Sequence, residues 1–179
     1  VYRACGNSGT GDNCYVFGIG LDPSRTDFGA DGRVYVADGA PAAQKVRLVP
    51  PSGSIVDFAT GFSFGASPRG IVVDRSSTSA FFQDVFVSDS AAVRRFDSGT
   101  VPGVLQKTYN SPVTSPRQMA ITPLPRERLL IADDSQNRIV MINPATDKTK
   151  TIGIPLSSPR AIAVDQDANN RTFAYVAEA

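Results

Sequence analysis

The side chains that could do chemistry in this chain of 179 residues are arginines and acids, because histidine is absent altogether. Without an imidazole there is no usual general base, no His-based nucleophilic triad and no His-rich zinc site. Arg69, Arg117 and Arg160 each follow a Ser-Pro pair. Recurring at one position of a repeat, they should stand together on one face, where a ring of guanidiniums could hold an anionic ligand or an acidic partner. The plainer expectation is that each pairs with an Asp or a carbonyl of a neighbouring unit. Acids recur too: Asp22, Asp74 and Asp165 follow one kind of apolar run, and Asp38, Asp89, Asp133 and Glu178 close another. An Asp at a strand end before Ser, Gly or Asn normally caps the turn by accepting backbone N–H bonds, and that is the favoured reading of these.

Two further features bear on compartment. Cys5 and Cys14, the only cysteines, flank a polar, glycine-rich loop. A disulfide closing so short a loop would contribute about 2 to 3 kcal/mol in the chain-entropy picture, and it would favour an oxidising environment; two free thiols are the alternative. Two thiols without histidine leave a four-coordinate metal shell half empty. Asn170-Arg171-Thr172 is the single acceptor sequence for N-glycosylation. Together these features favour a secreted or cell-surface protein, glycosylated at Asn170.

The elements that position these residues are repeated. Ser67-Pro68-Arg69-Gly70-Ile71-Val72-Val73-Asp74, Ser115-Pro116-Arg117-Gln118-Met119-Ala120-Ile121-Thr122 and Ser158-Pro159-Arg160-Ala161-Ile162-Ala163-Val164-Asp165 are one phrase with small edits. A second apolar run follows each, at Val85 to Asp89, Leu129 to Asp133 and Ala174 to Glu178. A divergent earlier copy reads Phe17 to Asp22, then Val34 to Asp38. Third runs stand at Lys45 to Val49, Ala92 to Phe96 and Arg138 to Ile142, and fourth runs at Ile55 to Ala59, Val104 to Tyr109 and Thr149 to Ile154. The runs are short, rich in β-branched and aromatic residues, and separated by Pro, Gly, Asn and Asp, which predicts an all-β chain. Four strands per unit, repeating every 40 to 50 residues or so, predict β-propeller blades. A single blade cannot cover both of its faces, so neighbours must stack on it.

The succession Pro68 to Asp74, Val85 to Asp89 and Val93-Arg94-Arg95-Phe96 resembles the NHL-repeat type of propeller blade. Leu130 to Ile139, with its acids, polar turn, Asn137, Arg138 and Ile139, is similar to the same pattern, although Thr122 stands where the other units carry an acid. The resemblance implies fold more than function, since such propellers include ligand-binding modules, RNA-binding domains, lyases and scaffolds. Peptide-amidating lyases of this kind use His-ligated zinc, for which this chain has no ligands. Gluconolactonase-like propellers hold a divalent ion with acids near the axis. That resemblance makes Asp74, Asp133 and Asp165 weak candidates for a calcium site; otherwise no cofactor and no catalytic residue is expected.

The units divide as 15–66, 67–114, 115–157 and the first half of another at 158–179, with 1–14 read as the outer strand and exit loop of a preceding blade. All belong to one propeller domain. Two explanations compete: a piece of a longer, six-bladed propeller, which is favoured, or a small ring in which Val1 to Ala4 pairs beside the last strands. A net charge of +1 and no basic block longer than Arg94-Arg95 argue against nucleic acid, and no apolar stretch is long enough to span a membrane. The expected function is a non-enzymatic extracellular scaffold that binds proteins or glycans, other copies or segments among them. A calcium-dependent lactonase-like hydrolase or lyase is the alternative.

Overall fold

The computed structural model describes residues 16–21, 32–40, 44–50, 53–62, 67–123, 125–153 and 155–179. Cys5, Cys14, Asp22 and the expected outer strand over 1–14 lie outside these residues. The described chain forms fourteen strands, and its helical content is the one short 3-10 turn Asp134–Gln136. Among the described residues no helix is long and apolar enough to cross a membrane.

The strands are β1 (Val16–Leu21), β2 (Val34–Asp38), β3 (Lys45–Val49), β4 (Val56–Ala59), β5 (Ile71–Val73), β6 (Val85–Ser88), β7 (Val93–Asp97), β8 (Val104–Tyr109), β9 (Pro116–Ile121), β10 (Leu129–Asp133), β11 (Arg138–Ile142), β12 (Thr149–Ile152), β13 (Pro159–Gln166) and β14 (Thr172–Glu178). They pair in chain order into three four-stranded sheets, β1 to β4, β5 to β8 and β9 to β12, and a two-stranded sheet β13-β14. Every pairing is antiparallel. The first strands stand side by side in succession, β1 by β5, β5 by β9 and β9 by β13. The sheets therefore share a common side.

Alternation along each strand explains why the sheets stack. In β6, Val85 and Val87 point into a core shared with Tyr35, Val46, Leu48 and Phe58 of the first sheet, while Phe86 between them points the other way, toward Met119, Leu129 and Ile131 of the third. In β10 the same period sends Leu129 and Ile131 to one side and Leu130 and Ala132 to the other, where they meet Ile162 of β13. Each middle sheet is thus apolar on both faces because both faces are covered. Phe58 is fully buried, its ring edge-on to Tyr35 at 4.7 Å and to Phe96 of the second sheet at 6.1 Å.

Outer strands differ. β12 is polar and almost wholly exposed, and Val104 and Leu105 of β8 are half exposed. Close backbone approach marks the seam between the second and third sheets. A Cβ on Gly70 would lie 2.5 Å from the Arg117 carbonyl oxygen and 2.9 Å from Ser88 Oγ. Ser88 fills that seam, accepting from Gly70 N at 2.8 Å and donating to Arg117 O at 2.6 Å.

Candidate functional site

The Ser-Pro-Arg segments lead into the first strands, and the Asp residues that close the second strands stand at the same end of each sheet. Asp133, for example, pairs with Pro116 at the start of β9. That antiparallel register brings the arginines and a group of acids together.

Asp134, in the turn after β10, is the hub. Its Oδ2 takes Arg117 Nε at 2.9 Å and Arg117 Nη2 at 2.6 Å, and Arg160 Nη1 lies 3.2 Å from the same oxygen. Its Oδ1 accepts from the Ser158 hydroxyl at 2.5 Å. The Ser158 hydroxyl and the two guanidiniums hold the Asp134 carboxyl below its usual range. Asn137, left-handed at φ 49°, accepts from Ser158 N at 2.8 Å and so fixes the β13 lead against this turn.

Arg69 stands in the same electrostatic neighbourhood without such a partner. Its Nη1 donates to the Ser115 hydroxyl at 3.3 Å, and among the described residues no carboxylate lies within ion-pair distance of it. Burial, with Arg117 beside it, lowers its guanidinium from the usual value, while Asp134 and Asp89 pull the other way. Three cations therefore stand around one acid, which only Arg117 and Arg160 touch directly. Arg160 remains 46% exposed even while touching Asp134, so an incoming group can reach it.

The acids that close second strands serve the frame. Asp133 is fully buried and accepts from Ser115 N at 2.7 Å, from Thr114 Oγ1 at 2.9 Å and from Arg138 Nε at 3.0 Å. Arg138 reaches on to the Pro112 carbonyl. Asp38 takes Arg47 Nε at 2.9 Å and Ala40 N at 3.2 Å. Asp89 takes Ala91 N at 2.8 Å and Ala92 N at 2.9 Å, and lies 3.0 Å from Arg94 Nε. Glu178 accepts from Ser157 N.

Asp74 and Asp165 stand elsewhere. Each follows or closes the far end of its first strand, where Asp74 Oδ1 accepts from Ser76 N at 2.9 Å and Asp165 Oδ1 from Gln166 N at 2.8 Å. The structure thus puts Asp133 at the opposite end of its sheet from the position Asp74 and Asp165 occupy in theirs, and among the described residues no three metal-binding side chains converge. Asn170 is exposed, left-handed at φ 59°, in the turn between β13 and β14. Asp134 was not among the residues singled out by sequence: its role depends on a neighbouring sheet's serine and arginine, and the doubled Asp133-Asp134 was its only signal.

No protein-family model matches the chain, and no curated protein matches it by sequence. Its shape does match solved structures. Virginiamycin B lyase from Staphylococcus aureus matches with a TM-score of 0.61 at 17% identity, over 89% of this chain and 48% of that one. A nidogen/laminin complex gives 0.63 at 17% identity, over 89% and 54%. BBS1N in complex with ARL6DN gives 0.53 at 17% identity, over 83% and 43%. The chain spans about half the length of these structures. They are β-propeller proteins. With its four-stranded antiparallel sheets side by side, this chain has the β-propeller fold.

Proposed function

We propose that this chain is an NHL-like propeller, secreted or at the cell surface, that binds an acidic protein partner through the arginine-bearing ends of its first strands. The observation that carries the reading is the imbalance around Asp134: one carboxylate serves Arg117 and Arg160, and Arg69 beside them has only a serine hydroxyl among the described residues. Guanidiniums held by a rigid sheet are pre-organised for carboxylates, which they take in paired hydrogen bonds. Propellers in complexes with protein partners are among the similar structures. The exposed sequon at Asn170 supports the compartment, as does the spacing of Cys5 and Cys14.

The carboxylate-and-calcium reading has less support. Asp133 is occupied by backbone, hydroxyl and guanidinium donors and does not share an end of the blade with Asp74 or Asp165.

The test is binding of a fluorescent Glu/Asp-rich peptide, followed by anisotropy, to the wild type and to Arg69→Ala/Arg160→Ala. Binding that weakens at least tenfold in the variant and with rising salt supports the proposal. Equal binding to both proteins, or none to either, overturns it. Mass spectrometry of secreted material checks the compartment through a glycan on Asn170 and a Cys5–Cys14 bridge.

A further inference from the structure

A second cationic site lies at the other end of the blades. The loop between β9 and β10 and the turn between β13 and β14 line an open cavity of about 650 Å³. Its lining is Thr122, Pro125, Arg126, Arg128, Gln166, Asn170, Arg171 and Thr172. Three arginines, two amide residues and two threonines are among the lining residues, and among the described residues no Asp or Glu is.

The arginines are unequally committed. Arg171 Nε is held at 2.7 Å by Asp167. Arg128 donates from Nη1 to the Glu127 carbonyl at 2.5 Å, and the structure gives Arg126 no side-chain partner among the described residues. Neither has a carboxylate within ion-pair distance among those residues. The Glu127 carboxyl turns into the seam between sheets to meet Ser79 at 2.8 Å, and it lies beyond ion-pair distance of Arg128 among the described residues.

Thr122 accounts for both the charge and the shape of the cavity. At the corresponding position the neighbouring units carry Asp74 and Asp165. Thr122 Oγ1 instead donates to Arg126 O at 2.7 Å and accepts from Arg128 N at 2.8 Å. It thereby fixes the backbone that presents both arginines, and it removes the negative charge that an Asp would place in the lining. The position where this unit departs from the repeat is thus one that keeps an acid out of the lining beside Arg126 and Arg128.

We propose that this cavity binds a tetrahedral oxyanion, the phosphate or sulfate group of a small polar ligand. Guanidinium donors match the oxygens of such a group, and the flanking Gln166, Asn170 and Thr172 offer neutral polar contacts to the rest of the molecule. The site is separate from the acidic-partner surface: that surface lies at the starts of the first strands, and this cavity at their ends.

Calorimetry on unglycosylated protein tests it, since Asn170 lies in the lining. Inorganic phosphate and sulfate are titrated first, then glucose 6-phosphate and glucose 6-sulfate. The expected result is saturable binding of at least one inorganic anion, weakened at least tenfold in Arg126→Ala/Arg128→Ala and also in Thr122→Asp/Arg126→Ala, whose circular dichroism matches the wild type. Tighter binding of one ester than of its inorganic ion identifies the source of the group; equal binding identifies a free anion. No saturable binding of any of the four, or affinity unchanged in both variants, overturns the proposal.

Discussion

The carboxyl of Glu127, in the loop between β9 and β10, faces that of Asp74, which follows β5 in the neighbouring sheet. Asp74 is fully buried, and among the described residues no N–H or O–H donor reaches its Oδ2 or Glu127 Oε1. With each carboxyl set against the other, charge on Glu127 is disfavoured. Burial and the Asp74 carboxyl push Glu127 up from 4.5 to about 7, with Arg128 pulling it down. Nearby, burial raises Asp84 to about 6 against the pull of Arg95, and Asp97 and Asp74 add to the rise.

A carboxyl that holds its proton more tightly when folded stabilises the fold in full below its unfolded value, and loses that contribution as pH rises through its folded value. For Glu127 and Asp84 this means a decline between about pH 4 and pH 7. Asp134 has the opposite sign: its lowered value contributes above 3.8 and is lost only in stronger acid. The thermal unfolding midpoint of the wild type should therefore fall between about pH 4 and pH 7. Glu127→Gln, whose amide can donate to Asp74 at every pH, should flatten that slope. Parallel curves for the two proteins would show that the Glu127 carboxyl does not set the slope.

Asp133 and Arg138 form an ion pair in which the acid is fully buried. Arg138→Ala would leave a buried charge short of one partner, at a cost of about 3 to 5 kcal/mol. Urea unfolding should show the loss at neutral pH. A change under 1 kcal/mol would mean that the Ser115 and Thr114 donors suffice on their own.

Gly70 is a test of how tightly two sheets close. Gly70→Ala would drive a methyl group into the Arg117 carbonyl and Ser88 Oγ, and overpacking against backbone typically costs about 1 to 3 kcal/mol. Gly53, whose Cβ would meet nothing within 4 Å, has φ 99° and so measures backbone strain alone. Comparing midpoints of the two alanine variants separates contact from conformation.

Phe58 joins the first two sheets through Tyr35 and Phe96. Phe58→Ala should destabilise by about 3 to 5 kcal/mol, the range for a large buried aromatic. Val104→Ala, on a half-exposed outer strand, should stay within about 0.5 kcal/mol. Chemical denaturation of both variants checks the contrast.

The sheets were largely legible because the information is local. Lys45–Val49, Val104–Tyr109 and Arg138–Ile142 occupy the expected spans, since alternating burial and the flanking turn residues mark them without help from distant contacts. Small differences fall at ends: β7 is Val93–Asp97 rather than Ala92 to Phe96, and β12 stops at Ile152. The Asp capping bonds at Asp74, Asp89 and Asp165 are likewise short-range. What sequence hid were partnerships across sheets. Nothing local says that Asp134 will collect Ser158 and Arg160 from the next unit, or that Glu127 will turn away from Arg128 toward Asp74. Those depend on how far apart two stacked sheets come to rest.

One detail of the Asp–Arg pairs bears on how such a chain can diverge. Arg47 and Arg94 stand opposite Val36 and Val87, two residues before the acid they bind, whereas Arg138 stands directly opposite Asp133. The turn between second and third strands is also longer in the first sheet, from Gly39 to Gln44, than in the third, from Asp134 to Asn137. The same clasp thus closes from alternative footholds and over turns of different length. Insertions and new residues at this rim can alter what the propeller presents to its surroundings while the β-sheets beneath keep their hold on one another.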